Sequence, residues 1–215
     1  MPNSVDVFSE FILPNTQTVK NRIVKAAMEE GLGDKYQQPD DMLFSLYKGW
    51  SAGGVGAIIT GNVMIDRQAM TGPGGVVLDK TSDLTPFKQW AKAGQHGGTK
   101  VWMQINHPGR QVFANMKGKV LSPSNVALSM GKHSKLFGQP KAMTEADIKD
   151  VIQRFVDTAS QAKEAGFDGV QVHAAHGYLI AQFLSPLSNK REDKWGGCIE
   201  NRARILLEVI SQIQS

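Results

Sequence analysis

Four short apolar runs alternate with four helical patterns along this chain, and that alternation limits the fold more than any other feature. The runs are I-V-K-A-A-M within Asn21–Met28, A-I-I-T at Ala57–Thr60, K-V-W-M-Q-I at Lys100–Ile105 and G-V-Q-V at Gly169–Val172. A first helix follows Asp40 or Asp41 and carries Met42, Leu43, Leu46, Tyr47 and Trp50 on one face. A second spans Leu84–Gln95 behind Ser82 or Asp83. The third opens on Thr144, with acids in its first turn, and places Ile148, Val151, Ile152, Phe155 and Ala159 at helical spacing before ending at Ala165. The fourth covers Glu200–Ile213. Strands separated by helices pair in parallel through right-handed crossovers. The expected fold is therefore α/β with a parallel sheet, either a (β/α) barrel of the TIM type or a doubly wound sheet. No G-x-G-x-x-G follows the first strand and no G-x-x-x-x-G-K-[ST] occurs, which speaks against a dinucleotide-binding doubly wound sheet and against a P-loop.

The connections are legible as well. Residues 1–21 form an entry segment in which Pro14-Asn15 turns between extended pieces at Val5–Ile12 and Thr18–Val19. Glu29–Pro39, Gly72–Gly75 and Ser185–Gly197 read as loops. Asn106–Met143 is a long excursion of the kind that is functional or disordered. No short repeat is present. Of 215 residues, 41% are hydrophobic and 20% charged, ordinary globular values with enough chain for a sizeable core. The net charge of +4 comes without any block of like charges, so nucleic acid is not an expected partner. A single cysteine, Cys198, excludes an internal disulfide and a cysteine-based zinc cage. The start lacks the pattern of a signal peptide and no apolar run is long enough to span a bilayer, so the expected setting is the cytoplasm, without a membrane partner.

In parallel α/β folds the face at the strand C-termini carries the active site. Gly61, Gln104 and His173 fall there. His173, His176 and Tyr178 cluster where the last strand gives way to a loop. Two imidazoles can together hold an oxyanion or carbonyl oxygen, and a phenol beside them can donate a proton. A metal site, as in a metal-dependent hydrolase, is the rival reading, but His96, His107 and His133 sit in unrelated contexts and no third ligand is evident. Core hydrogen bonding for the histidines, and packing at a helix start for Tyr178, stay open. Gln104 is polar within an apolar strand, and its amide needs either a bound polar heterocycle or neighbouring backbone. Gly61 and the Ala26-Ala27 pair suit either a flat ligand or close packing. Met28 by itself reads as core, and Lys190–Lys194 as a solvated loop.

Five stretches carry a family resemblance: N-R-I-V-K-A-A-M at 21–28, I-I-T-G-N at 58–62, W-M-Q-I-N-H-P-G-R at 102–110, G-F-D-G-V-Q-V-H-A-A-H-G-Y-L-I-A-Q-F-L-S-P at 166–186 and N-K-R-E-D-K-W-G-G-C-I-E-N-R at 189–202. With these the chain resembles the N-terminal part of an NADH:flavin oxidoreductase of the old yellow enzyme family. The resemblance implies a single FMN-binding (β/α) barrel domain, of which residues 1–215 supply the first four βα units, an incomplete half-barrel. It implies that the backbone at Ala27 and Met28 lies along the flavin, that Gly61 approaches its ring and that Gln104 bonds its polar edge. His173 and His176 would grip a substrate carbonyl and Tyr178 would supply a proton. The reductant would be NADH or NADPH, and the substrate an activated alkene or quinone-like acceptor. A homo-oligomer is compatible with it.

One departure stands out. After A-A-M the family usually carries Thr or Cys; here Glu29 stands there, followed by Glu30-Gly31. An ionised carboxylate beside a flavin disfavours its anionic reduced form, so either Glu29 turns away or the redox behaviour differs. Larger flavin and iron–sulfur enzymes of the dienoyl-CoA reductase or amine dehydrogenase type share a similar domain. A non-catalytic half-barrel assembly module is the remaining alternative. Residues 1–215 alone are expected to bind FMN weakly, if at all, and to be inactive by themselves.

Overall fold

A computed structural model describes residues 6–215; the expected extended piece beginning at Val5 lies partly outside them. The entry segment is an antiparallel hairpin of β1 (Phe11–Ile12) and β2 (Thr18–Val19). It reaches the N-terminal end of the main sheet, where Gln17 donates to the Asp168 carbonyl at 3.0 Å and Lys20 Nζ donates to the Gly97 carbonyl at 2.9 Å. The hairpin leaves the opposite end, where the strands finish, clear of the entry segment.

The main sheet is parallel throughout. Its order is β3 (Val24–Lys25), β4 (Ala57–Met64), β6 (Lys100–Asn106) and β9 (Gly169–Val172), with β5 (Val76–Val77) also paired to β4. Helices α1 (Asp41–Ala52), α2 (Thr85–Gly94), α3 (Glu145–Glu164) and α5 (Ile199–Gln214) follow β3, β4, β6 and β9 in the expected alternation. A short α4 (Leu179–Leu184) is added before α5. Among the described residues the sheet does not close into a barrel.

Local chemistry explains most of these boundaries. Asp40 caps α1 by accepting from Met42 N at 3.0 Å. Thr144 and Asp147 form a reciprocal capping box at α3. The start of α2 departs from expectation: Leu84 is its cap residue, with no side-chain bond, and Asp83 instead accepts from Thr85 N at 2.9 Å. The first strand is shorter than Asn21–Met28, since only Val24 and Lys25 join the ladder.

The second strand departs the other way. It runs on through Gly61 to Met64, because β6 pairs along one edge while β3 and β5 share the other. The register slips between Ile59 and Asn62, so Gly61 sits at an irregularity inside the strand rather than at its end.

The helices cover one face of the sheet. Along β6, Val101, Met103 and Ile105 are fully buried in the helix-side core with Ile148, Ile152 and Phe155 of α3 and Ile205 and Val209 of α5. Lys100, Trp102 and Gln104 alternate onto the other face and are only half-buried. Under β4 lies an aromatic cluster. Trp90 is 1% exposed, with ring centroids 5.0 Å from Tyr47 and 5.7 Å from Phe167, both edge-on.

The excursion 106–143 is folded. It contains the parallel pair β7 (Leu121–Ser122) and β8 (Lys141–Ala142), two short 3-10 helices and a stacked Phe113–Phe137 pair at 5.0 Å. Arg191 is no solvated charge either. Its guanidinium donates to the Pro123 and Met143 carbonyls at 3.0 and 2.6 Å, pinning together the C-terminal ends of the two short parallel strands. No described helix is long and apolar enough to cross a membrane.

Candidate functional site

The C-terminal end of β9 delivers the histidines together. His173 N donates to the Ile105 carbonyl at 3.0 Å, continuing the β6–β9 ladder by one residue and burying the side chain to 6% exposure. The chain then leaves the sheet in a tight turn, with His176 and Gly177 both in the left-handed region at φ +54° and +71°. Tyr178 follows as the cap residue of α4. The turn folds the three rings onto one another. His173 stands 5.1 Å from His176 and 4.9 Å from Tyr178, centroid to centroid, edge-on in both cases.

Protonation follows from these contacts. His173 Nδ1 accepts from Ala175 N at 3.2 Å, which puts the proton of the neutral ring on Nε2. Burial, and then the neighbouring His176, pushes the His173 imidazolium below its ordinary range, so the neutral ring prevails at pH 7. Burial, and then the charge of Glu29, pushes the Tyr178 phenol above its ordinary range. The cluster therefore presents a neutral imidazole N–H and a firmly protonated phenol side by side.

Glu29 lies at the surface, yet close enough for its charge to reach Tyr178. Its side chain is exposed and accepts from Thr71 Oγ1 at 2.8 Å. Its influence on Tyr178 is testable: Glu29→Gln removes the negative charge and is expected to lower the pH at which Tyr178 ionises, leaving only the upward push of burial. The difference in phenolate absorbance between the chain and its Tyr178→Phe form checks this. An unchanged Tyr178 titration would rule the coupling out.

Glu30 does the opposite and turns inward. Its Oε1 accepts from Tyr47 Oη at 2.7 Å and from Lys25 Nζ and Gly61 N at 3.3 Å each. A Cβ on Gly61 would stand 2.6 Å from the Met28 carbonyl oxygen and would collide with the Glu30 carboxylate. The room that Gly61 leaves is thus taken by the chain's own 28–30 backbone, which it lets settle against β4. Ala27 is half-buried in that segment. Met28 is 64% exposed, so the expectation that it belongs to the core is overturned: the chain has already left the ladder at Lys25.

Gln104 lies in register with Gln171, and its Nε2 donates to Gln171 Oε1 at 2.7 Å. Gln104 is half-buried and Gln171 exposed, both on the face that the helices leave open. Among the described residues, Gln104 Oε1 and Gln171 Nε2 take no other side-chain partner, leaving one acceptor and one donor side by side. That pairing matches the alternating carbonyl and N–H edge of a flavin's pyrimidine ring, so this donor set fits FMN. Gln171 was missed in the sequence; its register with Gln104 was the available signal. Gln111 and Gln182 were missed too. Gln182, 1% exposed, donates to the Pro108 and Gly177 carbonyls at 3.1 and 2.7 Å and accepts from Arg110 N at 3.2 Å, joining the loop after β6 to the histidine turn. His96 and His133 stand in separate short 3-10 helices, and no group of three or more His, Cys, Asp or Glu side chains gathers for a metal among the described residues.

Parallel strands ending in an imidazole–imidazole–phenol cluster, beside paired amides on an open sheet face, define an α/β protein whose polar groups gather at the strand C-termini, the face that carries active sites in folds of this kind. The chain belongs to the NADH:flavin oxidoreductase / NADH oxidase family, whose pattern matches residues 6–215. It is 37% identical to the NADH-dependent flavin oxidoreductase iliE of Hypocrea jecorina over 92% of this chain and 53% of that protein. It is 36% identical to an NADPH dehydrogenase of Halalkalibacterium halodurans over 97% of this chain and 60% of that protein. The old yellow enzyme homologue of Zymomonas mobilis superposes with a TM-score of 0.88 at 27% identity, covering 97% of this chain and 59% of the other. A 2-naphthoyl-CoA reductase in complex with 2-naphthoyl-CoA superposes with a TM-score of 0.90 at 29% identity, covering 97% of this chain and 33% of the other. The chain spans about half the length of the curated relatives it matches.

Proposed function

We propose that these residues form the first half of the active site of an FMN-dependent NAD(P)H oxidoreductase that reduces activated alkenes, carried on the first four βα units of a (β/α) barrel. The observation that carries this reading is the His173–His176–Tyr178 cluster, with its protonation as described, on the same strand ends as the Gln104–Gln171 amides. Gln104 and Gln171 would hold the flavin's polar edge, and the backbone at Ala27 and Met28 would line its ring. Bound FMN would supply hydride chemistry between NADH or NADPH and the β-carbon of the alkene.

The chain's own residues supply the rest. His173 Nε2–H and the His176 ring donate to the carbonyl oxygen of the substrate, where charge develops as the enolate forms. A neutral donor suits this task, since it stabilises the oxyanion without surrendering its proton. Tyr178 delivers a proton to the α-carbon, and its raised pKa keeps that proton in place until carbanion character appears beside it.

The exposed Gln171 and the uncovered sheet face support weak FMN binding by residues 1–215 alone. FMN titrated into the chain, followed by flavin fluorescence, tests this together with NADH-driven reduction of cyclohex-2-enone at saturating FMN. Weak saturable binding supports the reading; enone reduction at saturating FMN would support the alkene assignment and overturn the inactivity of residues 1–215 alone. A tightly co-purifying stoichiometric flavin would overturn weak binding, and flavin reduction without any enone reduction would overturn the alkene assignment. The larger type of flavin enzyme is the second reading, favoured by the 2-naphthoyl-CoA reductase likeness, in which this chain matches only 33% of the partner.

A further inference from the structure

The carbonyl clamp depends on a backbone conformation that its own residue does not favour. His176 is not glycine, yet it sits at φ +54°. Left-handed backbone is unfavourable for residues with a Cβ and persists at functional sites only where the surroundings over-determine it. The restraint is visible. Gln111 Nε2 donates to the His176 carbonyl at 2.8 Å. Its own backbone is fixed, since Gln111 N donates to the Pro108 carbonyl at 3.1 Å. Pro108 and Arg110 are in turn held by Gln182, and His107 Nδ1 accepts from Gly109 N at 3.0 Å. The tether also crowds the next residue: a Cβ on Gly177 would stand 3.1 Å from Gln111 Nε2, in addition to the strain of its own positive φ.

We propose that Gln111 is a positioning residue for His176: its amide, donating to the His176 carbonyl, holds that residue in the left-handed turn that brings its imidazole against His173. The loop after β6 thereby sets the second half of the clamp on the loop after β9. Gln111 touches neither substrate nor flavin in this role. The inference deepens the carbonyl-clamp reading and takes its functional meaning from it, but the geometry is tested without substrate.

The groups whose charge bears on the cluster are His173, His176, Tyr178 and, through Tyr178, Glu29. The experiment is a proton titration of the histidine ring signals by NMR on residues 1–215. Single His173→Ala and His176→Ala variants assign the two rings. In the unaltered chain His176→Ala is expected to raise the His173 titration. In a Gln111→Ala background the same change is expected to move it no further, because His176 has already left. The three-bond amide coupling of His176 should change with it as φ leaves the left-handed region. Gln111→Glu keeps the length but loses the donor, and is expected to behave like Gln111→Ala. Gln111 is only half-buried, so both variants are compatible with an intact fold. A purely structural role would lower the melting temperature while leaving the His173–His176 coupling whole, and that result would overturn the proposal. Failure of the carbonyl-clamp reading would show separately, as a preserved titration pattern with no enone binding.

Discussion

Replacing Tyr178 by phenylalanine is expected to slow enone reduction by about 10²–10⁴-fold, the range for loss of a positioned general acid, while leaving NADH-driven flavin reduction unchanged. The asymmetry follows from where the phenol stands. It packs 4.9 Å from His173, and under the proposed function it serves the half of the cycle in which the alkene accepts a proton. The phenylalanine ring preserves the edge-on packing and removes only the hydroxyl. The two half-reactions, measured separately by rapid mixing with FMN in excess, check this. An equal loss in both would mean that Tyr178 acts on flavin binding instead, and no loss in either would remove it from the mechanism.

Replacing Trp90 by alanine is expected to cost about 3–5 kcal/mol of folding stability. Trp90 is 1% exposed and meets Tyr47, Phe87 and Phe167 at centroid distances of 5.0, 6.4 and 5.7 Å. It thus joins α2 to α1 and to the segment entering β9. Removing it opens a cavity beneath the strand that carries Gly61 and forfeits three aromatic contacts. For a chain of this size the loss corresponds to a fall in melting temperature of roughly 10 °C. Chemical denaturation with tryptophan fluorescence and circular dichroism measures it, and a change below about 1 kcal/mol would show that the cluster repacks around the gap.

Much of this could be read along the sequence. Asp40 and Thr144 announced their helices, because a cap is a local event: a side-chain oxygen meeting a backbone N–H two or three residues on. The strand–helix alternation announced a parallel sheet, since helical crossovers admit little else. His173, His176 and Tyr178 were legible as a cluster because they lie within one turn of chain. Other features were hidden because their partners are remote. Gly61 looked like the end of a strand, and only the pairing of β4 with β6, β3 and β5 carries the strand past it. Arg191 looked solvated, but its acceptors lie 48 and 68 residues away. Glu29 and Glu30 looked alike as neighbours, yet one meets Thr71 at the surface and the other meets Tyr47 and Lys25 inside.

By itself, then, the sequence determined the element types, the parallel order and the grouping of His173, His176 and Tyr178. Each rests on periodicity, capping or adjacency, interactions whose partners lie a few residues apart. Only the tertiary structure decided which imidazole is buried and neutral, that Gln171 stands beside Gln104, and that Gln111 tethers the strained turn at His176. The two amide contacts close across 65 or more residues, and the burial that keeps His173 neutral does not exist until the strands are side by side.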